Sequence, residues 1–210
     1  MKLRLALAAA TFASAAAIGA ESPPAAVPAK AQQTASEVCA ACHGVDGNSP
    51  TPENPNLAGQ IPEYMTKQLM NFKSPEGKKA ERENAIMAGM VAALSPEDMR
   101  NLGAYYGAQR AKPGFATDTA TVELGQRIYR AGIVEKGVPA CSGCHGVTGL
   151  GLPMQYPRLA GQHTQYTVAQ MQAWRTGARA NDPNKMMRMI AAKMTDAEIK
   201  AVSDYIAGLR

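Results

Sequence analysis

The stretch CAACHGVDGNSP at 39–50 returns about a hundred residues later as CSGCHGVTGLGL at 141–152. Each copy contains the run Cys-x-x-Cys-His, and its members are Cys39, Cys42 and His43 in the first copy and Cys141, Cys144 and His145 in the second. The 210-residue chain has four cysteines, and the two runs contain all of them. The chemistry of this run is therefore duplicated.

Three kinds of site use paired cysteines of this spacing. A redox-active disulfide within each pair would leave the adjoining histidine without a role. Zinc-binding pairs usually converge on one site, whereas here each pair is followed at once by its own histidine. Cys-x-x-Cys-His is the attachment signature of haem c, because two cysteines on one helical turn reach both vinyl groups of a porphyrin. We therefore predict two covalent haem c groups, with the four cysteines as attachment points and His43 and His145 as iron ligands.

The composition also favours a bulky cofactor. Hydrophobic residues make up 46% of the chain and charged residues 19%, as in globular proteins, but aromatic residues make up only 5%. Two small domains with so few large side chains would have thin cores unless a cofactor filled their centres.

The N-terminus is typical of an export signal. MKLR is a short basic start, and the apolar run LALAAATFASAAAIGA is too short to span a bilayer comfortably and ends in small residues. We predict a signal peptide at 1–20, a flexible Pro/Ala-rich spacer at 21–31 and a bacterial periplasmic location. An uncleaved anchor is the alternative.

The duplication extends well beyond the cysteine motif. NPNLAGQIPEYMTKQLMNF at 54–72 aligns with 156–174, and MAGMVAALSPEDMRNLGAYYG at 87–107 aligns with 187–207. Apolar spacing and two capping boxes predict helices, with no strands, at about 33–42, 62–73, 96–107, 122–133, 164–176 and 196–208, and a short helix before each capping box. The prediction is an all-α protein with two tandem domains at 32–110 and 120–210, joined by an extended linker at 111–119.

The repeat also selects a sixth ligand for each iron. A duplicated site should keep its ligand at equivalent positions, and in the segment before the capping boxes only Met87 and Met187 align methionine with methionine. Met90 and Met189 fail this test, because they align with an isoleucine and a glycine. His163, the remaining histidine, is predicted to be a surface residue.

With these motifs, the chain from about residue 32 to 210 resembles cytochrome c4, a two-haem class I cytochrome c family. The resemblance rests on CAACHGVDGNSP, NLAGQ, CSGCHG and PRLAGQHTQYT. It implies two class I cytochrome c folds, His/Met ligation of both irons through Met87 and Met187, and periplasmic electron transfer toward a terminal oxidase. It also implies that the Pro55 and Pro157 carbonyls accept the ring N–H of the haem histidines, which fixes each ring and raises its basicity. Met189 is the alternative ligand for the second iron.

Such ligation favours an electron carrier over an enzyme, because iron bound by His and Met has no open coordination position. The alternatives are a two-haem cytochrome c peroxidase and a haem subunit of a membrane-bound dehydrogenase complex. We expect redox proteins as partners, with a quinol-oxidising complex or dehydrogenase as donor and a terminal oxidase as acceptor. Peripheral association with the membrane is a further expectation.

The charge is divided unevenly between the two copies. The formal net charge of +5 falls to +3 without the predicted signal peptide, and up to four haem propionates offset the rest, so no nucleic-acid partner is expected. Residues 32–110 contain seven Lys/Arg against nine Asp/Glu, whereas residues 119–210 contain eleven against six. This asymmetry is interpreted either as a docking field for redox partners or as an ordinary solvated face.

Overall fold

The computed structural model describes residues 28–76 and 78–210, and in these ranges the protein is helical. Within the described ranges, β-type pairing is limited to two isolated β-bridges, Ile133 with Val138 and Leu152 with Tyr156. The predicted all-α class with two tandem domains is thus confirmed. The predicted signal peptide and most of the predicted spacer lie outside the described residues. Within the described part, no helix has the length and apolar character needed to cross a membrane.

The first domain contains five helices among the described residues: α1 (Ala29–Thr34), α2 (Ala40–His43), α3 (Pro62–Phe72), α4 (Ala85–Val91) and α5 (Pro96–Gly107). A π-helical turn over Ala35–Cys39 joins α1 to α2, so the chain is helical without interruption from Ala29 to His43. This segment carries the first cysteine motif, as expected. It begins four residues before the predicted start at 33 and includes the end of the predicted spacer.

The second domain repeats this order with α6 (Val122–Ala131), α7 (Ser142–His145), α8 (Thr164–Thr176), α9 (Met186–Ala191) and α10 (Asp196–Ala207). α6 matches the predicted range of 122–133 to within two residues, but it ends ten residues before Cys141 and does not continue into the second motif. Gly132 has φ +77°, and a Cβ at this position would lie 2.2 Å from the Val138 carbonyl oxygen. A left-handed turn that glycine alone tolerates here therefore ends α6 and begins an inserted loop.

The predicted capping boxes are present at the start of the last helix of each domain. The Ser95 hydroxyl accepts from the Asp98 backbone N–H at 3.1 Å, and the Asp98 carboxylate accepts from the Ser95 N–H at 3.0 Å. Thr195 and Glu198 make the same pair of bonds in the second domain. These bonds satisfy backbone N–H groups that the first turn of a helix leaves free.

Each domain has its own apolar core, and in each the motif cysteine nearest the N-terminus packs against it. The first core contacts Cys39 and Met87, and its buried members include Met65, Leu69, Phe72, Val91, Met99, Leu102 and Tyr106. The second core contacts Cys141, and its buried members include Ile128, Tyr129, Ile133, Val138, Ile199, Val202 and Ile206. The cysteine motifs thus open onto two separate cores.

The linker at 111–119 is extended, as predicted, and is fixed at both ends. Asn48 of the first domain accepts from the Lys112 backbone N–H at 2.8 Å. Asp204, which is 1% exposed, accepts from the Thr117 and Asp118 N–H groups at 3.0 Å each and from the Thr117 hydroxyl at 3.0 Å. The linker is therefore bonded to both domains.

The two LAGQ loops face each other across the domain interface. The Gln60 side chain donates to the Arg158 carbonyl at 3.0 Å and accepts from the Arg158 N–H at 2.9 Å. The Gln162 side chain makes the same two bonds with Asn56, at 3.0 and 2.9 Å. Because Asn56 and Arg158 are equivalent in the repeat, the contact has an approximate two-fold symmetry.

His163 belongs to this interface and is not the surface residue that the sequence predicted. Its side chain is half-buried, and its Nε2 lies 3.1 Å from the Ser49 carbonyl oxygen of the first domain. The prediction was wrong because the alignment places His163 opposite an isoleucine of the first copy, and an alignment of single positions does not show contacts between copies.

Candidate functional site

The four motif cysteines form no disulfide, and each lies on or beside a short helical turn that ends in histidine. Cys42 is exposed and the other three are half-buried. Burial raises the pKa of the Cys39 thiol. Burial also raises the pKa of Cys141, to about 11. Redox-active cysteines have lowered pKa values, so the arrangement does not favour a redox disulfide.

The two motif histidines are buried and are held in the same way. Nδ1 of His43 donates to the Pro55 carbonyl oxygen at 2.9 Å, and Nδ1 of His145 donates to the Pro157 carbonyl oxygen at 3.0 Å. A carbonyl oxygen can only accept, so the proton is on Nδ1 and the Nε2 lone pair is left for a metal. Burial lowers the pKa of both imidazoles, more than these hydrogen bonds raise it. Both side chains are therefore neutral and suited to bind iron.

In each domain, one glycine carbonyl accepts two backbone hydrogen bonds from the loop that carries the proline. The Gly47 carbonyl accepts from the Leu57 and Ala58 N–H groups at 2.7 and 2.9 Å. In the second domain the carbonyl of Gly149 accepts from Leu159 and Ala160 at 2.8 and 3.0 Å. The same pair of backbone hydrogen bonds thus holds the loops of Pro55 and Pro157, whose carbonyls contact the imidazoles.

The predicted methionine ligands lie at the starts of α4 and α9. Met87 is half-buried against the first core, and its N–H donates to the Asn84 side chain at 2.9 Å. Met187 is also half-buried. Met90 and Met189 point away from the cores, with 46% and 55% of their surfaces exposed. Ligation by Met87 and Met187 stays a prediction.

The position of Met189 accommodates a large side chain where the first copy has a glycine. At Gly89, an added Cβ would have no atom within 4 Å. The equivalent position in α9 is therefore open to solvent, and the Met189 side chain occupies it without displacing the core.

The family model for cytochrome c matches residues 28–106 and 122–210. Cytochrome c4 of Thiocapsa roseopersicina is 46% identical over 184 residues, which cover 87% of this chain and 92% of the relative. The chain belongs to the cytochrome c4 family.

Among solved structures, reduced recombinant cytochrome c4 from Pseudomonas stutzeri matches with a TM-score of 0.80 and 42% identity, covering 88% of this chain and 100% of that one. A protein named thiosulfate dehydrogenase electron acceptor, from Stutzerimonas stutzeri strain A1501, is 41% identical over 179 residues, or 83% of this chain and 80% of the relative. As a cytochrome c4, the protein is an electron-transfer protein that binds two covalent haem c groups.

The sequence did not identify two arginines that lie between the domains, Arg82 and Arg179. Both belong to connections of unequal length, where the repeat could not be aligned without gaps. A signal was present nonetheless, since their tyrosine and glutamine partners on α3 and α8 match across the repeat.

Proposed function

We propose that this protein is a periplasmic di-haem carrier that passes electrons to a terminal oxidase from a quinol-oxidising complex or a dehydrogenase. When bound, each haem supplies a one-electron iron couple. The polypeptide supplies the attachment cysteines, the axial ligands and the surfaces that meet partner proteins.

The observation that carries the proposal is the equivalence of the two histidine sites. His43 and His145 have the same proline hydrogen bond, and their Nδ1–O distances differ by 0.1 Å. A two-haem peroxidase needs one iron with an open position, and therefore two unlike sites. The equivalent histidines, taken together with the alignment of Met87 with Met187 on the sixth-ligand side, support the carrier.

The interface supports transfer within the chain. The Gln60 and Gln162 bonds hold the loops that carry Pro55 and Pro157 against each other. Since each proline also receives the hydrogen bond of its own histidine, the two iron sites are connected through a short, fixed stretch of backbone. A fixed distance between redox centres is what a relay requires.

A dehydrogenase as donor is the second candidate, favoured by the relative named as an electron acceptor of thiosulfate dehydrogenase. That relative aligns with both domains of this chain. The chemistry of such a donor requires only a one-electron acceptor with an exposed docking surface, which a di-haem cytochrome provides.

The proposed periplasmic location rests on two features of the sequence. One is the predicted signal peptide at 1–20, and the other is the pair of haem c attachment motifs. Peripheral association with the membrane and the haem-subunit alternative both stay predictions.

Stopped-flow kinetics test the assignment of partners. Reduced protein is mixed with membranes that contain the host's terminal oxidases, with and without cyanide, and oxidised protein is mixed with purified thiosulfate dehydrogenase and thiosulfate. Cyanide-sensitive oxidation at rates that fall with salt is expected. A protein that membranes do not oxidise, but that the dehydrogenase reduces, would establish the dehydrogenase and refute the oxidase as its partner.

A further inference from the structure

Tyr106, near the end of α5, is buried in the first core with only 2% of its surface exposed. Its hydroxyl group is buried as well, and within the described ranges it has no hydrogen-bond partner. A buried hydroxyl without a partner is unfavourable, and nearly all such groups in folded proteins are paired. The position of this hydroxyl therefore calls for a partner that the polypeptide alone does not supply.

The Tyr106 ring is held in place from several sides. The Tyr106 carbonyl accepts from the Gly59 N–H at 2.9 Å, which ties the end of α5 to the first LAGQ loop. A Cβ at Gly47 would lie 2.8 Å from the Tyr106 ring, so the ring packs directly on the loop that follows His43. The ring of Tyr105 meets it edge-on, with 5.0 Å between the centroids. The hydroxyl group is therefore fixed inside the first domain.

The Cys39 sulfur lies beside this hydroxyl. Burial raises the pKa of the Tyr106 phenol, and the nearby Cys39 thiol raises it further. The Cys39 side chain is half-buried and packs against the core to which Tyr106 belongs. Burial also raises the pKa of this thiol, so both groups are neutral at pH 7. A neutral thiol is a weak donor and a weak acceptor, which leaves the phenol poorly paired.

Haem attachment changes the chemistry of Cys39 at this point. The S–H group adds across a haem vinyl group. A bond forms between the sulfur and one vinyl carbon, the thiol hydrogen goes to the other carbon, and the double bond becomes a single bond, so no oxidant or reductant is required. The product is a thioether, whose sulfur has lone pairs but no hydrogen and can only accept. The Tyr106 phenol beside it is then the donor.

The second domain, which is described throughout, treats its phenol differently. Tyr106 aligns with Ile206 in the repeat, and isoleucine has no polar side-chain atom. The phenol of Tyr129, on α6, lies near Cys141. Its hydroxyl already donates to the Gly146 carbonyl at 2.6 Å. A fixed phenol without a protein partner beside the attachment sulfur is therefore a feature of the first haem site and not of the second.

We propose that the Tyr106 hydroxyl donates a hydrogen bond to the Cys39 thioether sulfur in the haem-loaded protein, and that this bond raises the potential of the first haem alone. Tyr106 is a positioning residue, since it acts through the attachment sulfur and not on the iron. A donor at the sulfur withdraws electron density from the edge of the haem, which favours the electron-rich reduced state. The inference rests on haem attachment at Cys39 and not on the choice of donor or oxidase.

The test compares Tyr106→Phe with Tyr105→Phe in the haem-loaded protein. Both variants lose a phenol hydroxyl from α5 and keep the ring, but the Tyr105 hydroxyl donates to the Val45 carbonyl at 3.1 Å in an exposed contact. Spectroelectrochemical titration measures both potentials, with the haems assigned by paramagnetic NMR. In Tyr106→Phe the first potential should fall, with the oxidised-to-reduced ratio changing about threefold, or about 28 mV, since tenfold is 59 mV for one electron.

The second haem should keep its potential in Tyr106→Phe, and both haems should keep theirs in Tyr105→Phe. An unchanged first potential in Tyr106→Phe would overturn the proposal. Equal shifts of both haems, or a shift of the same size in Tyr105→Phe, would also overturn it, because such effects do not depend on a bond at the Cys39 sulfur.

Thermal unfolding of the same haem-loaded variants gives a second readout. Loss of a hydrogen bond that is made lowers the midpoint temperature, whereas loss of an unpaired buried hydroxyl raises it. Tyr106→Phe should therefore unfold at a lower temperature than the wild type. A higher midpoint would show that the hydroxyl has no partner in the haem-loaded protein and that the proposal is wrong.

A vibrational measurement tests the bond in the wild type. Resonance Raman spectra are recorded in H₂O and in D₂O, after unfolding and refolding in each solvent to exchange the hydroxyl hydrogen. One haem C–S stretching band should shift in D₂O, and Tyr106→Phe should lack this shift. A wild type without a shift, or a shift that persists in Tyr106→Phe, contradicts the assignment. None of these measurements involves a partner protein, so they stand apart from the stopped-flow test of donor and oxidase.

Discussion

Gln60 and Gln162 make the same pair of hydrogen bonds across the domain interface, in opposite directions. Each side-chain amide bonds to both the N–H and the carbonyl of one residue in the other domain, at 2.9 and 3.0 Å. Both glutamines are buried, with 7% and 9% of their surfaces exposed. Loss of either side chain would leave a backbone donor and acceptor of the other domain without partners.

Replacement of Gln162 by alanine should therefore destabilise the protein by about 2–6 kcal/mol, since each of the two unsatisfied buried groups costs about 1–3 kcal/mol. The measurement is the free energy of unfolding of the haem-loaded protein by denaturant titration. Gln155→Ala, at an exposed position, is the matched control and should change the stability by less than about 0.5 kcal/mol. Equal effects of the two variants would show that the interface bonds add nothing to stability.

Replacement of Asp204 by asparagine should release the linker, because one side-chain oxygen becomes an N–H donor that faces backbone N–H groups. We expect a loss of about 1–3 kcal/mol at pH 7. Burial acts to raise the pKa of Asp204, but the N–H groups of Thr117 and Asp118 lower it below its ordinary value of 3.8. Its contribution is thus complete above pH 3.8 and is lost as the pH falls through the lowered pKa.

Stability measured from pH 6 to pH 2 tests this linkage. The wild type should lose the Asp204 contribution at the acid end, and Asp204→Asn should lack that part of the slope. Glu135→Gln, at an exposed position, should keep the wild-type slope. A variant Asp204→Asn with an unchanged acid slope contradicts the assignment.

Replacement of Met87 or Met187 by alanine should abolish one methionine-ligated centre and leave the other intact. The sulfur-to-iron charge-transfer band of the oxidised protein should fall by about half in each variant, since one of two equivalent thioether ligands is lost. Met90→Ala and Met189→Ala, at exposed positions, are the controls and should keep the full band. Loss of the second signal in Met189→Ala instead would show that the repeat selected the wrong methionine.

The haem attached to Cys141 and Cys144 should have the higher potential. Its domain carries eleven Lys/Arg against six Asp/Glu, compared with seven against nine in the first, and positive surroundings stabilise the reduced form. Exposed charges are screened beyond about 8–10 Å, so the separation should be modest and should shrink with salt. Redox titrations at low and high ionic strength measure this. A higher potential on the first haem, or a separation that salt leaves unchanged, would show that local contacts determine the order.

Most of the fold could be predicted from the sequence because the repeat contains most helices twice, so that each copy could be checked against the other. The helices α3, α5, α8 and α10 begin and end within a residue or two of the prediction, since capping residues and apolar spacing are local signals. The loop that separates α6 from the second motif was not predicted, because it begins at Gly132 in a left-handed conformation where a Cβ would lie 2.2 Å from the Val138 carbonyl oxygen.

In the candidate site, too, features that are local in sequence could be predicted and contacts between distant residues could not. The cysteines and histidines are close in sequence, and their spacing alone predicted the two attachment motifs. The proline partners of the histidines came from the resemblance to cytochrome c4. The bonds of Arg82 and Arg179 to the opposite domain, and the linker bonds of Asp204, join residues from about 85 to more than 110 positions apart. Such contacts between copies cannot be read from an alignment of one copy with the other, which explains the error at His163.

The extended linker at 111–119 has a consequence for how strong the interface needs to be. The described contacts between the domains are largely hydrogen bonds, and faces of this kind bind weakly when the partners are separate molecules. A short tether makes the encounter intramolecular, at an effective concentration that reaches the millimolar range. The two domains can therefore stay together through polar contacts alone, and a transient opening of the interface does not separate them.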